Sequence, residues 1–178
     1  NYKISINEIN VNGYYYSIYE LNKDYHKEKG HFIKMRVFLN NGYTYFVKNG
    51  FGNECGDTIS VDCAIKMSEF MLNKNIHSFL KNTDKHTNAN YHLENWGKYD
   101  IKNDTITIQW YYNHHGRYFL AEEKGIVKDF NSFQLISFRD YRTQQETISK
   151  EFYQFQQYPI KELYDKIPKK LLKLENNS

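Results

Sequence analysis

The chain has 178 residues, enough for one domain whose hydrophobic core needs neither a metal ion nor disulfides for stability. Aromatic residues make up 17% of it, with 17 Tyr and 12 Phe, and such rings favour β-strands. The 24 basic and 21 acidic residues leave a net charge of +3, which excludes nucleic-acid binding through a general excess of positive charge. No apolar run reaches the roughly 20 residues of a membrane-spanning helix.

The N-terminal part of the chain predicts three strands after residues 1–12, which carry little pattern and are expected to be peripheral. GYYYSIY, from Gly13 to Tyr19, alternates like a strand. HFIKMRVFL follows with Ile33, Met35, Val37 and Leu39 on one face and Lys34 and Arg36 on the other. Asn40-Asn41-Gly42 predicts a hairpin turn because Asn and Gly tolerate a positive φ, and Tyr43 to Lys48 supplies the returning strand.

A helical insert is predicted from about Val61 to Leu80, and Asp57, Thr58, Ser60 and Asp62 can each cap its N-terminus. Its apolar residues form two faces: Cys63, Met67, Phe70 and Met71 on one, and Leu72, Ile76, Phe79 and Leu80 on the other. Such a helix is either contacted on two sides or broken near Asn73–Asn75, and the pattern favours the break.

Strands return from Trp96 onward. GKYDI and TITIQWYY flank Asn103-Asp104, which predicts a second hairpin whose inward residues are Ile106, Ile108, Trp110 and Tyr112. Asn113 to Gly116 turns into the strand RYFLAEE, and the extended segments GIVKDF, SFQLISF and EFYQF follow. The run from Arg139 to Ser149 is polar and is expected to be a loop, and residues 165–178, interrupted by Pro168, are expected to be peripheral.

Seven to nine sequential strands without helical crossovers predict a mainly β (α+β) fold with all 178 residues in one domain. The expected architecture is an antiparallel meander that forms a curved sheet or a small barrel, with one helical insert at about 61–80.

Three segments carry a resemblance to a known group of proteins. Gly97 to Ile108 reads G-x-Y-x-I-x-x-D-x-I-x-I, and Asn12 to Tyr16 and Phe38 to Tyr43 precede it. Together they resemble small exported lipoproteins of Gram-negative bacteria that have a lipocalin-like (calycin-like) build. The resemblance implies a lipocalin-like barrel, a location in the periplasm or at the outer membrane, and membrane attachment only through a lipid anchor on a removed N-terminus. Because the chain begins at Asn1 rather than Met, we expect a mature or trimmed product.

The two cysteines, Cys55 and Cys63, lie close together at the start of the predicted helix. In an oxidising compartment they can close a short disulfide loop, whereas in the cytosol they stay a thiol pair.

Tyrosine and tryptophan at alternating strand positions are the candidate ligand-binding residues. Rings on a concave sheet face can stack on a sugar or a small apolar ligand, and the alternative is that they form the core. The candidates are Tyr14, Tyr16, Tyr43, Tyr45, Trp110, Tyr112 and Tyr118.

No sequence motif indicates catalysis or a cofactor. His114-His115 with Glu122 and Glu123 contains metal-ligating residue types, but adjacent residues on a strand point to opposite faces, so a polar turn is the better interpretation. Cys55 or Cys63 would need a base such as His77 or His92, and no spacing selects a pair. We therefore expect no metal, no cofactor and no catalytic residue.

The leading hypothesis is a non-enzymatic exported binding protein with an aromatic-lined sheet face. One alternative is a protein-partner module of the inhibitor or immunity type that uses the loops at 22–30, 49–57 and 82–95. The other is a hydrolase whose site carries no recognised motif.

Overall fold

The structure is a computed structural model that describes residues 8–20, 29–47, 58–81 and 94–160, together with residues 163 and 167. The strands are β1 (Gly13–Glu20), β2 (Lys29–Phe38), β3 (Tyr43–Val47), β4 (Thr58–Ile59), β5 (Trp96–Lys102), β6 (Thr105–His114), β7 (Arg117–Asp129), β8 (Ser132–Asp140), β9 (Gln145–Ile148) and β10 (Phe152–Gln157). The single helix of these ranges, α1 (Val61–Lys81), lies between β4 and β5.

Eight of the strands form a closed antiparallel barrel. Their order around it is β1-β10-β8-β7-β6-β5-β3-β2, and the pairing of β2 with β1 completes the circle. The two remaining strands add to its edges, β4 parallel to the start of β2 and β9 antiparallel to the end of β8. This architecture confirms the predicted antiparallel meander with one helical insert, and it has the lipocalin-like build that the resemblance implies.

Local turn chemistry sets the register of the predicted hairpins. Asn103 and Asp104 both have a positive φ, 51° and 64°, as a two-residue turn between right-handed twisted strands requires. Gly42 has a φ of 84° in the turn from β2 to β3, where its amide donates to the carbonyl of Leu39 at 3.1 Å. Both predicted hairpins are therefore confirmed.

Helix α1 packs across the outer surface of β2 and β3. It begins after Ser60, whose Oγ accepts a hydrogen bond from the amide of Cys63 at 3.2 Å. The expected break near Asn73–Asn75 is wrong, because the helix runs without interruption to Lys81.

The expected division of α1 into two apolar faces stays a prediction, because Leu72 is the one residue of the second face whose side chain is described, and Met71 of the first face packs against the same cluster. One stripe at helical spacing, Ala64, Ser68 and Leu72, is buried, whereas the side chain of Phe70 is 57% exposed. One contact surface is therefore enough to hold this part of the helix.

Side chains on the two faces of the strands contribute to two separate hydrophobic clusters. The outer cluster lies between α1 and the barrel wall and includes Met35, Val37, Tyr45, Leu72 and Trp96. The inner cluster fills one end of the barrel and includes Tyr15, Phe38, Ile106, Phe133 and Tyr153, with the rings of Phe133 and Tyr153 stacked 4.8 Å apart. Ile9, in the segment before β1, is buried in the inner cluster.

Two elements differ from the sequence-based expectation. RYFLAEE and GIVKDF form the single strand β7, with a register irregularity between Lys124 and Gly125 instead of a turn. The polar run from Arg139 to Ser149 contains β9, whose side chains are all exposed. Most of the loops at 22–30, 49–57 and 82–95, and most of the C-terminal tail, lie outside the described residues. The described part of the chain contains no helix with the length and hydropathy that a membrane crossing requires.

Candidate functional site

The barrel closes along a seam between its first and last strands, β1 and β10, and this seam is only partly paired. Gly13–Tyr16 pairs with Gln154–Gln157. Beyond Tyr16, β1 continues to Glu20 in pairing with β2, but none of the described strands pairs with its other side. The two strands of the seam therefore separate after Tyr16, on the side towards Glu20.

Two adjacent strand irregularities explain why the seam parts. Lys124 pairs with Ser137 and Gly125 with Leu135, so β8 has Ile136 as an extra residue relative to β7. The amide of Ser149 donates to the carbonyl of Ile136, and the amide of Leu135 donates to the carbonyl of Glu151, which leaves Lys150 as an extra residue relative to β8. Because an extra residue bends its strand and increases the local twist, these bulges turn β8 and β9 away from β1.

The parted seam forms a cleft of about 840 Å³, which we call the seam cleft. Tyr16 to Tyr19 line one side of it, and Thr147 to Phe152 line the other. Its rim is open to solvent and combines the apolar side chains of Ile18, Ile148 and Phe152, which are 42%, 85% and 49% exposed, with polar residues such as Thr147 and Lys150. The residues at its floor are Lys34, Glu123, Phe138 and Glu151.

The accessible part of the floor is an ion pair between Lys34 and Glu151. Lys34 Nζ donates to Glu151 Oε1, and the two side chains are 43% and 30% exposed. Glu151 also accepts a hydrogen bond at 3.0 Å from the hydroxyl of Tyr153, whose pKa is raised by burial. A ligand at the floor of the cleft thus meets one cation and one carboxylate that solvent also reaches.

A second ion pair lies beneath the first. Arg36 Nη2 donates to Glu123 Oε2, and Arg36 is only 1% exposed. The guanidinium carbon lies 3.6 Å from the ring centroid of Phe46 and about equally far, 5.5 and 5.6 Å, from those of Trp110 and Tyr153. Burial raises the pKa of the Glu123 carboxyl group, and the positive charge of Arg36 opposes that change.

The predicted ligand-binding aromatic residues do not share one surface. Tyr14, Tyr43 and Tyr45 are buried in the outer cluster, where the Tyr14 hydroxyl donates to Glu69 Oε1 at 2.7 Å, and Tyr118 packs against the same cluster. Tyr16 lines the seam cleft.

Trp110 and Tyr112 follow the inward face of β6, as the alternation predicts. The ring of Trp110 lies 6.0 Å from that of Phe138 at the cleft floor. The Tyr112 hydroxyl donates to Asp140 Oδ1 at 2.7 Å. A ligand-binding role for the whole set stays a prediction, and Tyr16 is the member that the structure places at the cleft wall.

Sequence reasoning missed the charged residues of the cleft floor. Lys34 and Arg36 alternate with the apolar residues of β2, and polar alternation is usually a sign of a solvent-exposed face. Here the apolar face of β2 is covered by α1, so the charged face points into the barrel. The combination of a strongly alternating strand and a helical insert is the signal that could have indicated this reversal.

The other candidate groups do not converge on a metal site. The ring centroids of His114 and His115 lie 4.3 Å apart at an exposed turn. Glu122 accepts a hydrogen bond from the side-chain amide of Gln109 at 2.6 Å. Glu123 pairs with Arg36 inside the barrel. Within the described ranges, no three His, Cys, Asp or Glu residues are grouped to hold a metal ion. Cys63 lies in the first turn of α1, and Cys55 is outside the described residues, so their disulfide stays a prediction.

Comparison of the chain with known protein families, with curated proteins and with solved structures gave no match in any of the three.

Proposed function

We propose that the protein is a non-enzymatic binding protein of lipocalin-like build whose ligand occupies the seam cleft. The observation that carries this proposal is the parted seam itself, where exposed apolar side chains on the rim lie above a floor of paired charges. Ligand sites usually have volumes of roughly 300–1000 Å³, with mostly apolar walls and a few polar groups that fix orientation. The cleft, at about 840 Å³, lies within that range.

The position of the two clusters supports the cleft as the site in preference to a deep cavity in the barrel. The inner cluster fills one end of the barrel with aromatic and aliphatic side chains, and Arg36 and Glu123 occupy the middle. A ligand is therefore expected to lie along the seam. Its apolar groups would contact Ile18, Phe138 and Phe152, and its polar groups would contact Lys34 and Glu151.

A fluorescence titration with anilinonaphthalene sulfonate, an anion that emits strongly in apolar surroundings, tests the proposal. We expect the wild type to bind the probe saturably. The Phe138→Ala and Lys34→Met variants should each bind it more weakly. Phe130→Ala and Lys102→Met are the matched controls, since they remove an exposed ring and an exposed paired lysine away from the cleft. Equal binding by the cleft variants and the controls would place the probe elsewhere and contradict the proposal. A thermal-shift screen of sugars and amphipathic molecules can then identify small ligands.

We further propose that the protein is exported to the periplasm or the outer membrane and held there by a lipid anchor. The resemblance of the β1, β2–β3 and β5–β6 segments to exported lipoproteins supports this location. We expect the upstream coding sequence to encode a leader that ends in a cysteine for lipid modification. A start codon directly before Asn1 would contradict this proposal. Mass measurement of unreduced, alkylated protein tests the Cys55–Cys63 disulfide in the same material.

A further inference from the structure

We infer that the partner of the seam cleft is an extended polypeptide segment that adds to the edge of β1 as a strand. Its main chain forms hydrogen bonds with the N–H and C=O groups of Ile18. This inference rests on the proposed function and names the class of ligand. A strand edge presents unpaired N–H and C=O groups, and extended peptides recognise such edges through main-chain hydrogen bonds.

The alternation of hydrogen bonds along β1 identifies the residue that faces the cleft. In an antiparallel pair, successive residues direct their N–H and C=O groups to opposite sides. The carbonyl of Asn12 accepts a hydrogen bond from the amide of Tyr158 at 3.2 Å. The even-numbered residues of this segment therefore direct their main-chain N–H and C=O groups towards β10. Tyr14 and Tyr16 meet β10 in this way, and Ile18 is the next residue in the series. Ile18 therefore directs its N–H and C=O into the cleft.

The residue of the same chain that would continue the pairing, Phe152, does not pair with Ile18. Tyr16 lies opposite Gln154, so continued pairing would place Phe152 opposite Ile18. The pairing of β1 with β10 nevertheless ends at Tyr16 and Gln154, while Phe152 keeps its pairing with Gln134 on the β8 side, next to the bulge at Lys150. The cleft at Ile18 thus lies where a strand would continue the barrel wall.

The side chains around the cleft define the sequence pattern of a fitting strand. A residue opposite Ile18 would lie on the outer surface beside the exposed side chains of Ile18 and Phe152, which favours an aliphatic residue. Its two neighbours would point inward, over the ion pair of Lys34 and Glu151, which favours polar or charged residues. The expected partner segment therefore alternates polar, aliphatic and polar residues and has no proline at its centre.

An immobilised array of peptides of about six residues, the usual length of a strand, provides the probe. The peptides alternate aliphatic and polar residues, and each has a counterpart that is N-methylated at its central amide. The full chain is applied as wild type, as Ile18→Pro and as Ile18→Val. Proline at this position removes an N–H that points away from β2 and so leaves the pairing of β1 with β2 in place, whereas valine keeps the N–H.

We expect the wild type and Ile18→Val to bind a subset of the unmodified peptides. Binding should be about tenfold weaker for Ile18→Pro and for the N-methylated peptides, as loss of a main-chain hydrogen bond predicts. Hydrogen exchange should show fast exchange of the Ile18 amide in the free protein, slow exchange of the Tyr14 and Tyr16 amides, and protection of Ile18 when a peptide is bound. If Ile18→Pro does not fold, the N-methylated peptides test the same bond on the wild type.

Three outcomes would overturn strand addition. These are no binding anywhere on the array, equal binding of N-methylated and unmodified peptides, and protection of the Ile18 amide in the free protein, which would show that the chain itself already pairs with this edge. The fluorescence titration distinguishes the two proposals. Retained binding of the apolar anion at Phe138 and Lys34 would leave the cleft as a site for small molecules, and loss of both activities would remove the proposed function as well.

Discussion

Arg36 and Glu123 pair with each other across the full width of the barrel. Arg36 is on β2 and Glu123 is on β7, and these strands are four places apart in either direction around the circle of eight. The ion pair therefore joins opposite walls at the level where the inner cluster gives way to the seam cleft. Its aromatic surroundings exclude water from the guanidinium, so its partner must supply most of the compensation for burial.

We expect removal of either partner to destabilise the protein strongly, because each single change leaves a buried charge without its counterion. Arg36→Met and Glu123→Met should each lower the free energy of unfolding by about 3–5 kcal/mol at neutral pH. The double variant should lie close to the wild type, since two apolar side chains of similar volume need no ionic partner. Urea denaturation of all four proteins measures this coupling. Additive losses in the double variant would show that the two charges do not act as a pair.

The stability of the protein should fall with rising pH through the titration of Glu123. Burial raises the pKa of this carboxyl group above its ordinary value of 4.5, so the folded state keeps a proton that the unfolded state has already lost. The resulting stabilisation is complete below pH 4.5 and is lost as the pH rises through the pKa of the folded state. Glu123→Gln cannot titrate at this position. Its unfolding free energy should therefore improve relative to the wild type as the pH rises through that window.

Denaturation of both proteins at a series of pH values checks this sign. Glu146→Gln is the control, because it removes an exposed carboxylate from β9. A difference between wild type and Glu123→Gln that does not change with pH, or that changes in the other direction, would contradict the expectation.

A side chain at Gly13 should weaken the paired half of the seam. A Cβ atom at this position would overlap the carbonyl oxygen of Gln156 on β10, and that atom belongs to the backbone, which cannot move aside easily. We expect Gly13→Ala to cost about 1–3 kcal/mol, as overpacking usually does, and to speed the exchange of the Tyr14 and Tyr16 amides. Lys150→Ala, an exposed residue of the same seam, should stay within about 0.5 kcal/mol of the wild type. Similar losses in the two variants would mean that β10 accommodates the added methyl group.

Two neighbouring positions of α1 should differ widely in their effect on stability. Leu72 is fully buried in the outer cluster, whereas Phe70 is 57% exposed. Leu72→Ala should therefore cost about 2–5 kcal/mol, through lost burial and the cavity that remains. Phe70→Ala should change stability by about 0.5 kcal/mol or less. Thermal or urea unfolding of the two variants makes the comparison, and a larger loss for Phe70→Ala would show that the helix presents its other face to the barrel.

The sequence predicts those parts of the fold that depend on neighbouring residues. Alternation over GYYYSIY and TITIQWYY predicts strands, and the positive φ that Asn103 and Asp104 tolerate predicts their hairpin. Such signals need no knowledge of distant contacts. The meander then follows, because sequential hairpins without crossovers have few other arrangements.

The site is harder to predict because its parts are distant in the chain. Arg36 and Glu123 are 87 residues apart, and Lys34 and Glu151 are 117 residues apart. Neither pair can be selected from spacing, and the charged face of β2 is recognised as internal only when α1 is known to cover the other face. The extra residues Ile136 and Lys150 are equally hidden, since a bulge is defined by the register of a partner strand.

The seam also determines when this protein can fold. Around the barrel, each strand pairs with the barrel strands that come directly before and after it in the chain. The exception is the pair of β1 and β10, which joins the beginning of the described chain to its end. During synthesis, Gly13–Tyr16 leaves the ribosome long before Gln154–Gln157 exists, and the barrel cannot close until the later segment has emerged. The edge of β1 that faces β10 therefore stays unpaired in the nascent chain until Gln154–Gln157 has been made. Closure therefore follows the synthesis of β10, and the Ile18 end of that edge remains unpaired among the described strands afterwards.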